Sequence, residues 1–361
     1  AITNSVLIVL MLSFMVGIIL MRALKRDISA YNDDTLDDLA EETGWKLVHG
    51  DVFRGPQQYP MLLSVFVGCG SQLFLMTLLM LIFACLGFLS PANRGGLLTA
   101  LVFLFVFAGV VSGYKSARLY KLFDGKDWKR NALLSAFLLP GAVFALGFGL
   151  NLILWSRQSV GAIPFTTLIA LVLLWFGVST PLTFIGSYFG FSKDKYELPC
   201  KAHQIPRQIP EQPWYMHPIC STVVGGILPF GAIFIEVFFV MSALWNDTIY
   251  YVFGFLFVVL IILVITCAEI SIVMCYFQLC SEDYAWWWRS FFTSASVGGY
   301  VFLYSILFFS NKLELSDAVS TALYFGYMGI ISIAFSILTG TIGFEACFWF
   351  TKKIFGAIKV D

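Results

Sequence analysis

Nine long runs of apolar residues, separated by short segments that hold most of the charge, constrain this chain more than any other feature of its sequence. A helix needs roughly 17 to 25 apolar residues to cross a hydrocarbon core about 30 Å thick. Such stretches fall at about 2–21, 61–89, 96–114, 132–155, 163–189, 218–245, 248–280, 290–310 and 318–350. Backbone in lipid must satisfy its own hydrogen bonds, which leaves helices or closed barrels. Barrel strands would be only about ten residues long and polar at every second position, unlike these runs. The expected fold is all-α: a polytopic membrane protein, a bundle of nine transmembrane helices. Several runs exceed the minimum, so tilt, extension beyond the bilayer or kinks at Pro140, Pro181 and Pro229 are expected.

Composition agrees. Of 361 residues, 59% are hydrophobic and 12% are charged, about half the charge of a soluble domain, which excludes an ordinary soluble enzyme. Lys plus Arg equals Asp plus Glu at 22 each, so there is no basic excess to hold nucleic acid. The position of the cations sets an expected orientation. If the first span runs from lumen to cytosol, segments 22–60, 115–131, 190–217, 281–289 and 351–361 are cytosolic and carry 19 of the 22 Lys and Arg, leaving Arg94, Arg157 and Lys312 on the other side. The positive-inside rule then gives a lumenal N-terminus and a cytosolic C-terminus. Arg22, Lys25 and Arg26 follow the first span rather than precede it, the reverse of a cleaved signal peptide, so a translocated region is expected ahead of Ala1.

No enzyme, metal or cofactor chemistry is expected. The eight cysteines form no CxxC pair and none falls in a lumenal loop, so they read as small apolar packing residues. His49, His203 and His217 all fall in cytosolic segments, which leaves no histidine at bilayer depth for a metalloprotease or a Ser/His dyad, and a GxGD motif is absent.

Within cytosolic loop 22–60, Asp33, Asp34, Asp37, Asp38, Glu41 and Glu42 alternate with Leu36, Leu39 and Ala40 at helical spacing. They predict a short acidic helix, either solvated or docking a basic partner. The following stretch, Trp45 to Arg54, is too aromatic for a linker and reads as an ordered segment folded on the helix ends. Lys115, Arg118, Lys121, Lys129 and Arg130 form a cytosolic basic face suited to anionic headgroups of the lipid bilayer. Pro206, Pro210 and Pro213 favour an extended path for 204–213, a spacer or a peptide-like ligand. No convincing internal repeat is present.

Three carboxylates fall inside the spans: Glu236, Glu269 and Glu345. No intramembrane Lys or Arg is expected to pair with them, so each should face the bundle interior or water, or be protonated. Thr266 precedes Glu269 by three residues and is expected to share its helix face. Glu236 follows the Gly/Pro-interrupted stretch Gly225–Gly231, and Glu345 follows the small residues Thr339–Gly343. Buried packing groups, a substrate, ion or proton site, and recognition of partner helices all remain open for this intramembrane polar site. Glu236 is expected to approach the region of Glu269.

The stretches WKLVHGDVFR (45–54), GFLSPANRG (87–95), QIPRQIPEQ (204–212), GGILPFGAIF (225–234), 250–269 and LYFGY (323–327) together resemble the nonaspanins, the transmembrane 9 superfamily of endomembrane protein 70 type. The resemblance runs through nearly the whole chain. It implies nine spans following a large lumenal domain, and localisation to Golgi and endosomes, with some members reaching the plasma membrane. It also implies a role in delivering transmembrane cargo proteins with glycine-rich segments. The terminal Lys359-Val360-Asp361 resembles the family's retrieval signal, so Lys359 and Asp361 are the expected contact to coat protein complex I. A cargo-sorting factor or membrane chaperone is the expected function. The alternative is a transporter, lipid-handling protein or channel that uses the intramembrane glutamates.

Overall fold

The computed structural model describes residues 2–32, 44–88, 95–245, 253–313 and 317–358. Among them, nine helices are long and apolar enough to cross a membrane. They are α1 (Ile2–Tyr31), α2 (Pro60–Cys85), α3 (Gly96–Leu122), α4 (Trp128–Ser156), α5 (Phe165–Ser192), α6 (Pro218–Trp245), α7 (Phe253–Cys280), α8 (Trp286–Lys312) and α9 (Ala318–Phe355). No strand occurs among the described residues. Helices α1, α3 and α9 continue well past the apolar runs that mark them, because Lys, Arg and Leu are good helix formers and extend the same hydrogen-bond ladder into the headgroup region. The acidic stretch 33–42, the turn 89–94 and the terminal Lys359 and Asp361 lie outside the described residues.

The prolines act locally. Pro140 sits inside an unbroken α4, where its missing N–H frees the carbonyl of Ala136. The indole Nε1 of Trp175 in α5 donates to that carbonyl at 2.9 Å. Helix α5 itself carries one π turn at Trp175–Ser179, with the Thr180 N–H bonding Trp175 O. Pro181 follows directly and has no N–H to continue the normal ladder, so the wider turn takes up the mismatch.

Helices α2 to α5 pack as one group and α6 to α9 as another, joined where α9 and α7 lie against α2 and where α9 meets α4; α1 stands outside, against α7. The α3 and α5 backbones cross closely. A Cβ at Gly113 would lie 2.0 Å from Thr183 O, and one at Gly186 2.1 Å from Val110 O. Only glycine lets the two backbones approach this far, the usual device for helix association where lipid supplies no hydrophobic drive. A buried polar network ties α2, α3 and α4: Ser116 Oγ donates to Asn131 Oδ1 at 2.8 Å, Asn131 Nδ2 to Ser64 Oγ at 2.8 Å, and Ser135 Oγ to Ser116 Oγ at 3.0 Å. Every member is satisfied, so the network fixes helix rotation without an orphaned polar atom.

One face of the bundle is capped. Trp45, Val48, Val52 and Phe53 are buried in a single core cluster with Trp286, Trp287, Phe355 and Ile358. The start of α1 lies at the opposite face and the end of α9 at the capped one.

Candidate functional site

The cap is built from three segments that are distant in sequence. Asp51 accepts Arg54 Nε at 2.9 Å on Oδ1 and the backbone N–H of Arg207 at 3.1 Å on Oδ2. Arg207 pairs with Glu282 at 2.8 Å, and Tyr284 OH donates to Arg207 O at 2.9 Å. The stretches 45–54 and 204–212 therefore meet in one layer, held by the α7–α8 turn. Burial, with the Asp51 carboxylate nearby, pushes the Tyr284 phenol above the ordinary tyrosine range.

Three consecutive indoles at the start of α8 hold this layer to the bundle. Trp286 Nε1 donates to Val52 O at 2.8 Å, Trp287 to Arg54 O at 2.7 Å and Trp288 to Gln58 O at 2.9 Å. A cleft of about 270 Å³ opens beside them, lined by Arg54, Gln57, Ile209, Tyr284, Trp287 and Trp288 among others. Arg54 and Ile209 fall in stretches marked out by the sequence, whereas Gln57, Tyr284, Trp287 and Trp288 do not. The available signal was the Trp triplet itself, since indoles at the start of a span are natural donors to interfacial backbone.

Beneath the cap, Arg289 pairs with Asp283 at 2.9 Å and donates to Met216 O at 2.7 Å and Ser221 Oγ at 2.9 Å. Gln278 Nε2 adds a bond to Asp283 at 3.0 Å. The space between Ser221, Ser271, Gln278, Arg289 and Thr293 is about 10 Å³.

The three intramembrane carboxylates have three different environments. Glu345 is paired: Lys115 Nζ lies 3.0 Å from its Oε1, with the two side chains 38% and 39% exposed. This corrects the expectation that no Lys or Arg reaches them. Lys115 belongs to α3 and not to a loop, and its long stem carries the ammonium across to α9. A void of about 20 Å³ lies beside the pair, lined by Val67, Tyr196, Phe344 and Phe348. Glu236 is 2% exposed and makes no hydrogen bond or ion pair among the described residues. Glu269 is half-buried and likewise unpartnered among the described residues.

The structure does not set Glu236 and Glu269 side by side. A Cβ at Gly225 would lie 3.8 Å from Met274 Cγ, which fixes the antiparallel register of α6 and α7. That register puts Glu236 level with Leu263, so Glu269 lies about 9 Å nearer the capped face at 1.5 Å per residue. Thr266 is buried, and its hydroxyl donates to Ile262 O on its own helix at 2.8 Å.

Three of the five cations of the basic face are engaged within the chain. Lys115 holds Glu345; Arg118 lies 4.1 Å over the Tyr196 ring and donates to Asp194 O; Lys121 donates to Phe191 O at 2.8 Å and Lys193 O at 2.6 Å. The last two close the C-terminal end of α5. Lys129 and Arg130, in the first turn of α4, are exposed. No group of three or more His, Cys, Asp or Glu suited to a metal occurs among the described residues.

Fold and site together define a polytopic helical membrane protein with a folded polar cap on one face and, among the described residues, two unpaired carboxylates, Glu236 and Glu269, at bilayer depth. The family model described as Endomembrane protein 70 matches residues 1–318. Transmembrane 9 superfamily member 10 of Arabidopsis thaliana is 58% identical over the whole chain, which covers 57% of that protein. Member 2 of Mus musculus is 56% identical and member 4 of Homo sapiens 51%, again over the whole chain and 54% and 56% of their lengths. No solved structure matches. The chain belongs to the Endomembrane protein 70 family, the Transmembrane 9 superfamily, and spans about half the length of the curated relatives it matches.

Proposed function

We propose that this membrane domain serves a cargo-sorting factor or membrane chaperone of the endomembrane system, one that binds transmembrane helices of client proteins, glycine-rich ones among them, and cycles through Golgi and endosomes. In this reading the capped face is cytosolic, supported by the 19 of 22 Lys and Arg in the segments assigned to it. Lys359 and Asp361 then offer a cation and an anion beside the terminal carboxylate to coat protein complex I.

The observation that carries the reading is which polar groups are closed and which are open. The voids beside Glu345 and Arg289 are about 20 and 10 Å³, space for a water and not for a transported solute. Glu269 remains half-buried and unpaired among the described residues, on the helix that α1 covers from outside. A carboxylate in that position suits recognition of another helix better than conduction through the bundle.

Affinity capture of the full-length protein with crosslinking tests it. Transmembrane clients are expected among the products, and depletion of the protein should lower their surface delivery. Capture of coat subunits alone, with unchanged client delivery, would remove the cargo role. Lys359→Ala should shift the protein from Golgi toward later compartments; unchanged localisation and coat binding would remove the signal.

A second reading, proton or ion binding, is favoured by one observation: Glu236 is buried without a partner among the described residues. Uptake of ions or protons by vesicles bearing the wild type and not Glu236→Gln would establish it.

A further inference from the structure

Among the helices α1 packs chiefly on α7, and its end meets the cap, where Tyr31 lies edge-on to Trp45 at 5.0 Å; α7 ends at the same face, so the two helices run parallel. One contact sets their register. Tyr276 OH donates to Asp27 Oδ2 at 2.8 Å near the capped end. Toward the other end Val9 is buried in the same apolar cluster that takes in Val258 and Val259 of α7.

Glu269 precedes Tyr276 by seven residues, two helical turns, and so lies on the same face of α7, the one turned to α1. Counting back seven residues from both Tyr276 and Asp27 sets it level with Leu20. One turn away, Gly17 is open: a Cβ built there would meet nothing within 4 Å. Arg22 is two positions from Leu20, on the opposite side of α1, and forms no ion pair with Glu269. At the capped end of the seam Asp27 is already satisfied, by Tyr276 and by Trp45 Nε1 at 3.2 Å. Two turns deeper, about 10 Å, Glu269 has no partner among the described residues. The α1–α7 seam thus carries two carboxylates in its capped-side half, one of them unpaired among the described residues, beside open space at Gly17.

We propose that the α1–α7 seam binds a transmembrane helix of another protein through a lysine or arginine, which lodges over Gly17 and pairs with Glu269. Charge complementarity selects this occupant. A carboxylate at this depth is unfavourable alone, as is a lone cation in a partner helix, and each relieves the other. The depth of Glu269 sets where the cation must lie: on the capped side of the midplane, about 16 Å in from the Cys280 end of α7. The inference deepens the cargo reading, since the partner would be a class of client.

The test uses the full-length protein in lipid nanodiscs, with a benzoylphenylalanine crosslinker replacing Ile19, on the exposed flank of α1, or Leu303, an exposed residue of α8. The probes are two synthetic leucine–alanine helices, one with a single lysine at the stated depth and one with leucine in its place. The lysine helix should crosslink at position 19 and not at 303, and Glu269→Gln should lower the yield roughly tenfold, the size expected of one interhelical polar contact in lipid. Gly17→Leu, which fills the gap while keeping Glu269, should lower it as well, so a loss cannot be assigned to misfolding of one variant. Equal yields for the two helices, or yields indifferent to both substitutions, overturn the proposal. Client capture from cells by wild type and Glu269→Gln alike would sink this site and leave the cargo reading standing. Glu269-dependent binding of the lysine helix with no client captured would do the reverse.

Discussion

The indole of Trp175 donates to the carbonyl of Ala136 at 2.9 Å, filling the acceptor that Pro140 leaves without its helical partner. The bond joins α4 to α5 at the point where α5 begins its π turn. A proline at bilayer depth is tolerated when a neighbouring helix re-satisfies the freed group, and here the neighbour can be named.

Trp175→Phe should therefore destabilise the bundle by about 1–3 kcal/mol, the cost of an unsatisfied buried acceptor. Pro140→Ala restores the N–H of residue 140 and should reduce that penalty when combined with Trp175→Phe. A double-mutant cycle on thermal unfolding in detergent reads the coupling. Additive effects would show that the indole contributes packing alone.

The Lys115–Glu345 pair joins α3 to α9, and so the two helix groups. Both side chains are more than a third exposed, so its contribution is held to about 0–1 kcal/mol. Lys115→Met and Glu345→Gln should each be mild. The double reversal Lys115→Glu with Glu345→Lys should be closer to wild type than Lys115→Glu alone, which sets two carboxylates against each other. A reversal as unstable as that single variant would deny the pair any role.

The number and class of the spans were legible in the sequence because lipid imposes them: an uncharged run long enough to cross has few alternatives to a helix. The glutamates were legible as candidates for the same reason, since a carboxylate inside such a run is costly wherever it points. Their environments were not. Helix α7 is apolar on all sides, so no stripe marks which face of it is buried, and the orientation of Glu269 toward α1 emerges only from Tyr276 and Asp27. The partner of Glu345 was hidden in another way. Lys115 follows the last apolar residues of its run and reads as the start of a basic loop, whereas α3 continues to Leu122. The polar network around Asn131 and the Trp286–Trp288 clasp depend on contacts between segments far apart in the chain, which periodicity cannot encode.

The cap offers a chemical reporter of its own integrity. Cys200 is buried in the same cluster as Trp45 and Val52, and burial pushes its thiol above the ordinary cysteine range. Fewer thiolates at pH 8 and little access both slow alkylation. Asp51→Ala removes the acceptor for Arg54 and for the Arg207 N–H, so it should speed Cys200 alkylation and hydrogen exchange across 204–212 while the spans keep their protection. Unchanged rates would mean that the Trp clasp holds the cap without Asp51.

Glu236 gives the sharpest separation of stability from function. It is 2% exposed and without hydrogen-bonding partners among the described residues, and its helix neighbours Ile233 and Val237 pack in the apolar core. Its oxygens are not among the fully buried side-chain atoms left without a partner, so its cost is at most the roughly 1–3 kcal/mol of an unsatisfied buried polar group, and an apolar replacement of similar shape removes that cost. Glu236→Leu should accordingly raise the midpoint of thermal unfolding, and Glu236→Gln should leave it nearly unchanged, because the amide is as poorly satisfied as the carboxyl. If Glu236 serves packing alone, both variants should support normal client delivery. If it serves a site, the more stable Glu236→Leu should fail in delivery or vesicle uptake despite folding and export, the trade of stability for activity seen where function requires an uncomfortable group. A Glu236→Leu protein less stable than wild type would show that the carboxyl has partners in the folded state, and would refute the unsatisfied-group argument.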